Sequence, residues 1–394
     1  MRHPHRWLAS VALVAATVFA LPAATASPAP LPLLGRFIVT LDSSVTDVEA
    51  TALEQLGGVG QLDQVFTHAI NGYSASLTQA ALTLLLGDSR VVAVEAETVV
   101  HTQVTQSPTP SWGLDRIDQR NRPTNNAYTY TATGAGVNAY IVDTGLDLDH
   151  PDFGARAVSG FDAIDGGAAD DCNGHGTHVA GTVGGTSYGV AKGVTLVAVR
   201  VLNCQGSGTN TQVINGINWA IQDHQAGQPA VANFSLGGGA SAALDTAIRN
   251  LVADGVSVSV AAGNDTANSC SYSPARVAEA ITVGASDQND ARASFSNGGT
   301  CVDLFAPGVS ITSAWLNGGT NTISGTSMAT PHVVGVAAQY LQNHRGATPA
   351  QTAQALSDLS TKNIVTGASF RSCFLLIFCS TVNTPNNHLL FTNL

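Results

Sequence analysis

Lysine is almost missing from this 394-residue chain: it occurs at Lys192 and Lys362, and arginine carries the rest of the positive charge. Charged residues of every kind make up 11%, against 44% hydrophobic. So little charge excludes a disordered polyelectrolyte and suits a compact, mostly buried α/β protein. The formal net charge is -11. An acidic balance argues against nucleic acid as a partner. Cysteine is absent before Cys172, and the six cysteines, Cys172, Cys204, Cys270, Cys301, Cys373 and Cys379, show no C-x-x-C spacing of a zinc site. Beyond the N-terminus no stretch reads as a membrane-spanning helix, so no membrane anchor is expected.

What is present begins with a processing signal. Arg2 and Arg6 precede the apolar run Trp7 to Leu21, and Ala24-Thr25-Ala26 forms an A-x-A cleavage site. Residues 1–26 read as a secretory signal peptide; an uncleaved anchor is the alternative, for which the run is short. A secreted, extracellular chain can carry disulfides. Six cysteines then suggest three bridges, with 15 connectivities open.

The length allows two domains. Residues 27–35 are a Pro- and Ala-rich linker. Strand-like Arg36 to Leu41, helical Val45 to Leu56, strand-like Gln64 to Ala69 and Asn71 to Leu77, helical Thr78 to Leu85 and strand-like Val91 to Ala96 follow. That is the β-α-β-β-α-β, ferredoxin-like order. An extended tail, Glu97 to Gln106, leads into a Ser/Pro-rich boundary. From Ser111 strands alternate with helices: Val137 to Val142, Thr195 to Val201, Ala230 to Leu236, Val256 to Ala262 and Ala280 to Val283 are apolar strands. Their near-continuous apolar character predicts a mostly parallel, doubly wound sheet buried on both faces. Chemistry in such sheets gathers past the carboxyl ends of strands, where Asp143 and Asn264 lie.

Gly325-Thr326-Ser327-Met328-Ala329-Thr330-Pro331-His332 leads into the apolar run Val333 to Leu341, which predicts a buried helix. Pro331 is expected in its first turn, where a missing N–H costs little. A serine at that helix start is either a cap or a nucleophile. His175 lies in Asn173-Gly174-His175-Gly176-Thr177-His178-Val179-Ala180-Gly181, and Asp143 ends an apolar strand. A serine needs a base to attack at neutral pH, and a histidine serves if a buried carboxylate fixes its tautomer. Asp, His, Ser is one of the known chain orders of that constellation. Singly, each has a plain reading: turn residue, packed histidine, cap. Asn264 could donate its amide to an oxyanion, together with the Ser327 N–H. A second motif, Gly185-Thr186-Ser187-Tyr188-Gly189, matches the G-x-S-x-G elbow of esterases. That elbow must follow a strand and open a helix, and here a helical segment precedes it.

The blocks around Asp143, His175, Asn264 and Ser327, in that order, resemble the subtilisin-type serine proteases, above all the proteinase K branch and its aqualysin-like secreted members. The likeness runs from about Ser111 to Leu394, and the 36–101 unit resembles the inhibitor-type propeptide of the same family. The resemblance implies an α/β subtilisin-like peptidase domain at 104–394 behind a propeptide at 27–103. The propeptide would act as intramolecular chaperone and inhibitor, with its tail in the cleft until self-cleavage between Val100 and Gln106. It implies a secreted, monomeric endopeptidase acting on protein and peptide substrates. Asp143 would orient, His175 act as general acid/base and Ser327 attack, with Asn264 and the Ser327 N–H as oxyanion hole. Gln205 with Gly206, Ser207 and Gly208, and Ser235, Leu236, Gly237 and Gly238, resemble the segments flanking an extended substrate. Ala261, Ala262 and Gly263 resemble the first specificity pocket, roomy enough for apolar or aromatic residues. A catalytically dead binding scaffold would need a broken triad or oxyanion group, and none is broken.

The same resemblance implies the disulfides Cys172–Cys204 and Cys270–Cys301. Cys373 and Cys379 remain, as a short bridged hairpin around Phe374-Leu375-Leu376-Ile377-Phe378 that departs from the family pattern. It also implies structural calcium, held by Asp303 with the carbonyls of Ala278 and Ala280. A second site would use Asp115, Asp118 and Gln119, although Asn125 and Ala127 replace an acid and an amide there. Asp162 and Asp165 are a third candidate.

Overall fold

The computed structural model describes residues 33–97, 104–374 and 378–394, without the side chains of 373–379. The expected signal peptide and residues 98–103 of the expected tail lie outside these. The chain divides into two compact units, Met1–Val100 and His101–Leu394.

The described part of the first unit holds β1 (Leu33–Leu41), α1 (Val48–Leu56), β2 (Gly60–Phe66), β3 (Gly72–Thr78), α2 (Gln79–Gly87) and β4 (Val91–Ala96). The strands form an antiparallel sheet in the order β2-β3-β1-β4, the ferredoxin-like arrangement expected. Asp47 sets where α1 begins, because its Oδ1 accepts from the Ala50 N–H at 3.0 Å. Val39, Leu41, Tyr73, Ala75 and Leu77 of the sheet close over Ala52, Leu56 and Leu85 of the helices.

The larger unit is built on a nine-stranded sheet. Its strands are β5 (Asn138–Asp143), β6 (Ala157–Asp162), β7 (Thr195–Arg200), β8 (Ala230–Phe234), β9 (Ser257–Ala261), β10 (Ile281–Ser286), β11 (Leu304–Pro307), β12 (Thr361–Lys362) and β13 (His388–Leu389). They lie in the order β12-β13-β11-β10-β9-β8-β5-β7-β6. All pairs are parallel except β12 with β13. The five expected strands are all here. β6, β11, β12 and β13 are additional to these: β6 is an edge strand with Gly160 in it, β11 ends in a proline, and β12 and β13 have two residues each, so none reads as a long apolar run.

Helices cover both faces. α3 (His175–Gly184) and α6 (Thr326–Asn343) pack with Ala139, Ile141, Leu196 and Ala198 on one side. α4 (Asn210–Asp223) and α5 (Ala242–Ala253) pack with Tyr140, Val142, Val197 and Val199 on the other. Successive residues of β5 thus point into opposite cores, the pattern of a strand buried on both faces. α7 (Pro349–Leu359) starts with a full capping box, Thr348 and Gln351.

Two expected disulfides are formed: Cys172–Cys204 and Cys270–Cys301. Phe370–Phe374 and Phe378–Val382 form an antiparallel hairpin in which Cys373 faces Cys379 across the strands. The pairing of these two is expected to leave no thiol reactive in protein unfolded without reductant. Titration of two thiols per chain would exclude it.

Candidate active site

Beyond β5 the chain moves first to β6 and β7 on one side, then to β8 on the other. The carboxyl end of β5 is therefore a switch point, where the flanking loops part and leave a crevice. The loop after β7, with Gly206, Ser207 and Gly208, and the loop after β8, with Ser235, Leu236 and Gly237, line a cavity of about 500 Å³ together with His175. A second cavity of about 440 Å³ shares Ser235, Leu236, Gly237 and Gly238 and adds Ala261, Ala262, Gly263, Asn264 and Ser327. The expected substrate-site residues thus line two hollows that share one wall.

Asp143 is the last residue of β5 and is fully buried. His175 is the first residue of α3, after Gly174 at φ 105. A Cβ at Gly174 would meet the Trp315 ring at 2.4 Å, so glycine is required both by conformation and by space. His175 Nδ1 stands 2.7 Å from Asp143 Oδ1, which also accepts the Thr144 N–H at 2.8 Å. Asp143 Oδ2 has no partner among the described residues. Burial works to push the His175 imidazole down, but the charge and hydrogen bond of Asp143, with Asp171 beyond, hold it above its ordinary value. The Asp143 acceptor fixes the proton on Nδ1 and leaves Nε2 as the basic nitrogen.

Ser327 is the second residue of α6, whose N-cap is Gly325. The cap reading of Ser327 is thereby excluded. Its hydroxyl donates to Ser235 O at 3.0 Å, and Ser235 Oγ donates back to Ser327 O at 2.8 Å. Pro331 lies deeper in α6 than the first turn expected for it, four residues beyond Ser327. It has no N–H to give the Ser327 carbonyl, and the Ser235 hydroxyl takes that place.

Asn264 follows β9. Its Oδ1 accepts from the Thr326 N–H at 2.9 Å and from Thr326 Oγ1 at 3.0 Å. A backbone N–H can only donate, so the amide orientation is settled and Nδ2 is left for the hollow that holds Ser327.

Residues 134–373 match the family described as Subtilase family, and residues 36–103 match Peptidase inhibitor I9. The chain belongs to the subtilase family. It is 57% identical over 335 residues to "Extracellular serine proteinase" of Thermus sp. (strain Rt41A), covering 84% of this chain and 81% of that one. It is 41% identical over 373 residues to "Alkaline serine protease ver112" of Corniculantispora psalliotae, covering 91% and 95%. A solved structure, "Crystal structure of a cold adapted subtilisin-like serine proteinase", matches at 51% identity with a TM-score of 0.67, covering 72% of this chain and 98% of that one. The protein is a subtilisin-like serine endopeptidase that carries an I9 inhibitor unit.

This subtilase also uses residues that its sequence did not single out. Asp171 is buried, and its Oδ1 accepts from Thr144 Oγ1 and from the N–H groups of Asn173 and Gly174 at 2.9–3.0 Å. Its Oδ2 accepts from the Thr177 N–H at 3.0 Å and Thr177 Oγ1 at 2.6 Å. One carboxylate thus ties the end of β5 to the start of α3. An acid four residues before a helix-opening histidine is the signal that could have found it. The G-x-S-x-G stretch follows α3 rather than a strand, and the Ser187 N–H is held by Asp152 Oδ1 at 2.7 Å. The elbow reading has no support in this geometry.

No group of three or more His, Cys, Asp or Glu among the described residues is placed to hold a metal, so a cation would need backbone carbonyls. Asp303 lines a cavity of about 450 Å³ with Ala278 and Ala280. One of its oxygens accepts the Thr282 N–H at 2.8 Å, and burial pushes its carboxyl up to about 6. A half-buried carboxylate with no ion-pair partner among the described residues fits a hard cation. At the second site Gln119 Nε2 contacts Asp115 Oδ1 at 2.5 Å and Asn125 Oδ1 at 3.1 Å. Asp118 Oδ1 has no partner among the described residues, and burial, with the Asp115 charge adding, pushes that carboxyl up to about 6. The third candidate is closed: Arg200 Nη1 stands 2.9 Å from both Asp162 Oδ2 and Asp165 Oδ1. A cation already occupies it.

The His175 imidazole is expected to titrate above 6.5 by NMR, and Asp143→Asn to bring it below that value by removing the charge that outweighs burial. An unchanged titration in the variant would break the assigned pair.

Proposed function

We propose that this subtilase is made as signal peptide (1–26), propeptide (27–103) and peptidase domain (104–394), and that it is secreted and monomeric. In the peptidase, Asp143 orients, His175 is the general acid/base and Ser327 the nucleophile. The observation that carries this is the 2.7 Å Asp143–His175 contact, with Ser327 and His175 on hollows that share the Ser235 wall. For attack, the Ser327 hydroxyl turns from Ser235 O toward His175 Nε2. The imidazole takes its proton as Oγ bonds to the scissile carbonyl carbon. The resulting oxyanion is met by Asn264 Nδ2 and the Ser327 N–H. His175 then gives the proton to the leaving amine, and a water repeats the sequence on the acyl-enzyme. Asn264 is worth about 10²–10³ in rate, the magnitude measured for such a donor in a subtilisin.

The glycine-rich Gly206–Gly208 and Gly237–Gly238 edges suit a substrate that adds as an extended strand. Ala261, Ala262 and Gly263 leave a wide apolar pocket, so cleavage after apolar or aromatic residues is favoured. The I9 unit inhibits the enzyme until self-cleavage. Val104–Gln106 pairs with Tyr128–Tyr130 in the larger unit, which supports a cut before Val104. Structural calcium is held by Asp303 with carbonyls of Ala278 and Ala280, and more weakly by Asp115, Asp118 and Gln119, where the Gln119 amide sits among the oxygens.

Wild type is expected to lose roughly its first hundred residues and digest casein, with Ser327→Ala unprocessed and inert. A Ser327→Ala protein that matures and cleaves normally would overturn the nucleophile, and Ser187→Ala would then be compared. A peptide library on the wild type should favour apolar or aromatic residues before the cut; dominance of Arg or Asp would sink that preference. Chelation is expected to lower the melting temperature of the mature enzyme by several degrees. Asp303→Ala should have most of that loss already and respond little to calcium. Equal calcium responses in both proteins would remove Asp303 from the site.

A further inference from the structure

A buried amide stands behind Asn264 and grips the chain on both sides of it. Asn297 is fully buried. Its Nδ2 donates to Ala262 O at 2.9 Å, and its Oδ1 accepts from the Asp265 N–H at 3.0 Å and the Ala267 N–H at 2.8 Å. Its own N–H donates to Gly263 O at 2.9 Å. These four bonds reach residues 262, 263, 265 and 267 and so hold the chain on both sides of Asn264. The only other hold on Asn264 described is through Thr326. Gly263 has φ 101, and a Cβ there would stand 2.4 Å from Asn297 Nδ2. The segment therefore runs against the amide as closely as a backbone can.

Asn297 is itself anchored. Ser296 Oγ donates to Asn297 O at 2.9 Å and accepts the Ala285 N–H of β10 at 3.0 Å. Arg292 binds Ala293 O at 3.0 Å and also Ser296 O. A strand of the main sheet is thus connected through Asn297 to the loop after its neighbour β9.

We propose that Asn297 is a positioning residue that sets where Asn264 Nδ2 points. This rests on the reading of Asn264 as the oxyanion donor. Such a donor acts only when it lies about 2.7–3.1 Å from the place the oxyanion will occupy. The ground-state carbonyl makes less use of it. Loosening the grip therefore costs transition-state stabilisation and leaves most of substrate binding intact. Asn297 is fully buried, and its bonds to the Ala262 and Gly263 carbonyls and to the Asp265 and Ala267 N–H groups set the backbone that carries Asn264.

The test is a double-mutant cycle on the mature enzyme. Asn264→Ala is expected to lower kcat by about 10²–10³. Asn297→Ala should lower kcat by about tenfold or more with KM changed by less than about threefold, and should have almost no further effect on kcat in the Asn264→Ala background. If Asn264→Ala leaves kcat intact, the oxyanion reading fails. If Asn264→Ala is impaired but Asn297→Ala is harmless, or costs the same factor in both backgrounds, the positioning role fails alone. Should Asn297→Ala not fold, the cycle is run with Asn297→Asp, which keeps the shape and the acceptor but sets an oxygen against Ala262 O. The same non-additivity is expected, and its absence overturns the proposal.

Discussion

The carbonyl of Ser327 has no partner in its own helix, because the residue four places on is Pro331. An orphaned buried carbonyl costs free energy comparable to a lost hydrogen bond. Ser235, from the loop after β8, supplies the missing donor at 2.8 Å and receives the Ser327 hydroxyl in return. The buried helix and the carboxyl edge of the sheet are joined at this pair. Both hollows of the cleft take Ser235 as a wall residue, so their alignment depends on it. The proline is thus a connection between layers: by leaving one helical bond unmade it directs that bond to the sheet. Gly325 at the N-cap has no side chain to cap with, so the Ser327 N–H, at the positive end of the helix, has no capping side chain.

Burial and charge oppose each other at His175, and the balance decides the chemistry. Desolvation disfavours the imidazolium, yet about a quarter of the side chain remains exposed, so the full penalty of a sealed group does not apply. Asp143 is fully buried and makes no cation contact besides His175 among the described residues, so its charge is weakly screened there. The two histidines packed nearby lack such an acid. Burial pushes His178 and His332 down to about 4, and both stay neutral, bonded to the Ile311 and Met328 carbonyls. Three histidines in two motif helices thus differ in protonation because one of them begins its helix at a strand end carrying an aspartate.

Much of this was legible from residues alone. Apolar strands buried on both faces carry an unbroken Val/Ile/Ala signal, so the five central strands and the helix after Ser327 could be placed. The motif residues Asp143, His175, Asn264 and Ser327 stand at element ends, which is where polar residues interrupt apolar runs. What stayed hidden lies at contacts distant in sequence. Asp171 meets Thr144 across 27 residues, and Arg116 meets Asp290 across 174. The depth of Pro331 in its helix depended on where the helix starts, and Gly325 at φ 165 gives no sequence cue for that boundary. Arg200 reads as one residue near the end of a strand; that its guanidinium would close the Asp162–Asp165 site could be known only from the register that sets β6 beside β7.

The three acidic loops show how one chain meets the same electrostatic problem in different ways. Clustered carboxylates in a half-buried loop repel and lose solvation unless a positive group is supplied. At Asp162 and Asp165 the chain supplies its own, and Arg200 also lies against the Cys172–Cys204 sulfurs at 3.4–3.9 Å. At Asp115 the donors are amides: Gln119 Nε2 and the N–H groups of Asn125 and Asn126 take both oxygens. An amide carries partial charge only, which leaves Asp118 short of compensation. At Asp303 a single N–H is provided. Positive compensation from the chain itself therefore falls from the first loop to the last. The scarcity of lysine fits the same logic. Lys192 is drawn into a cage of the Thr186, Ser187 and Gly189 carbonyls under two tyrosine rings, where burial brings its amine down to about 8. A flexible cation is used there as a fixed internal ion, its charge met by backbone carbonyls.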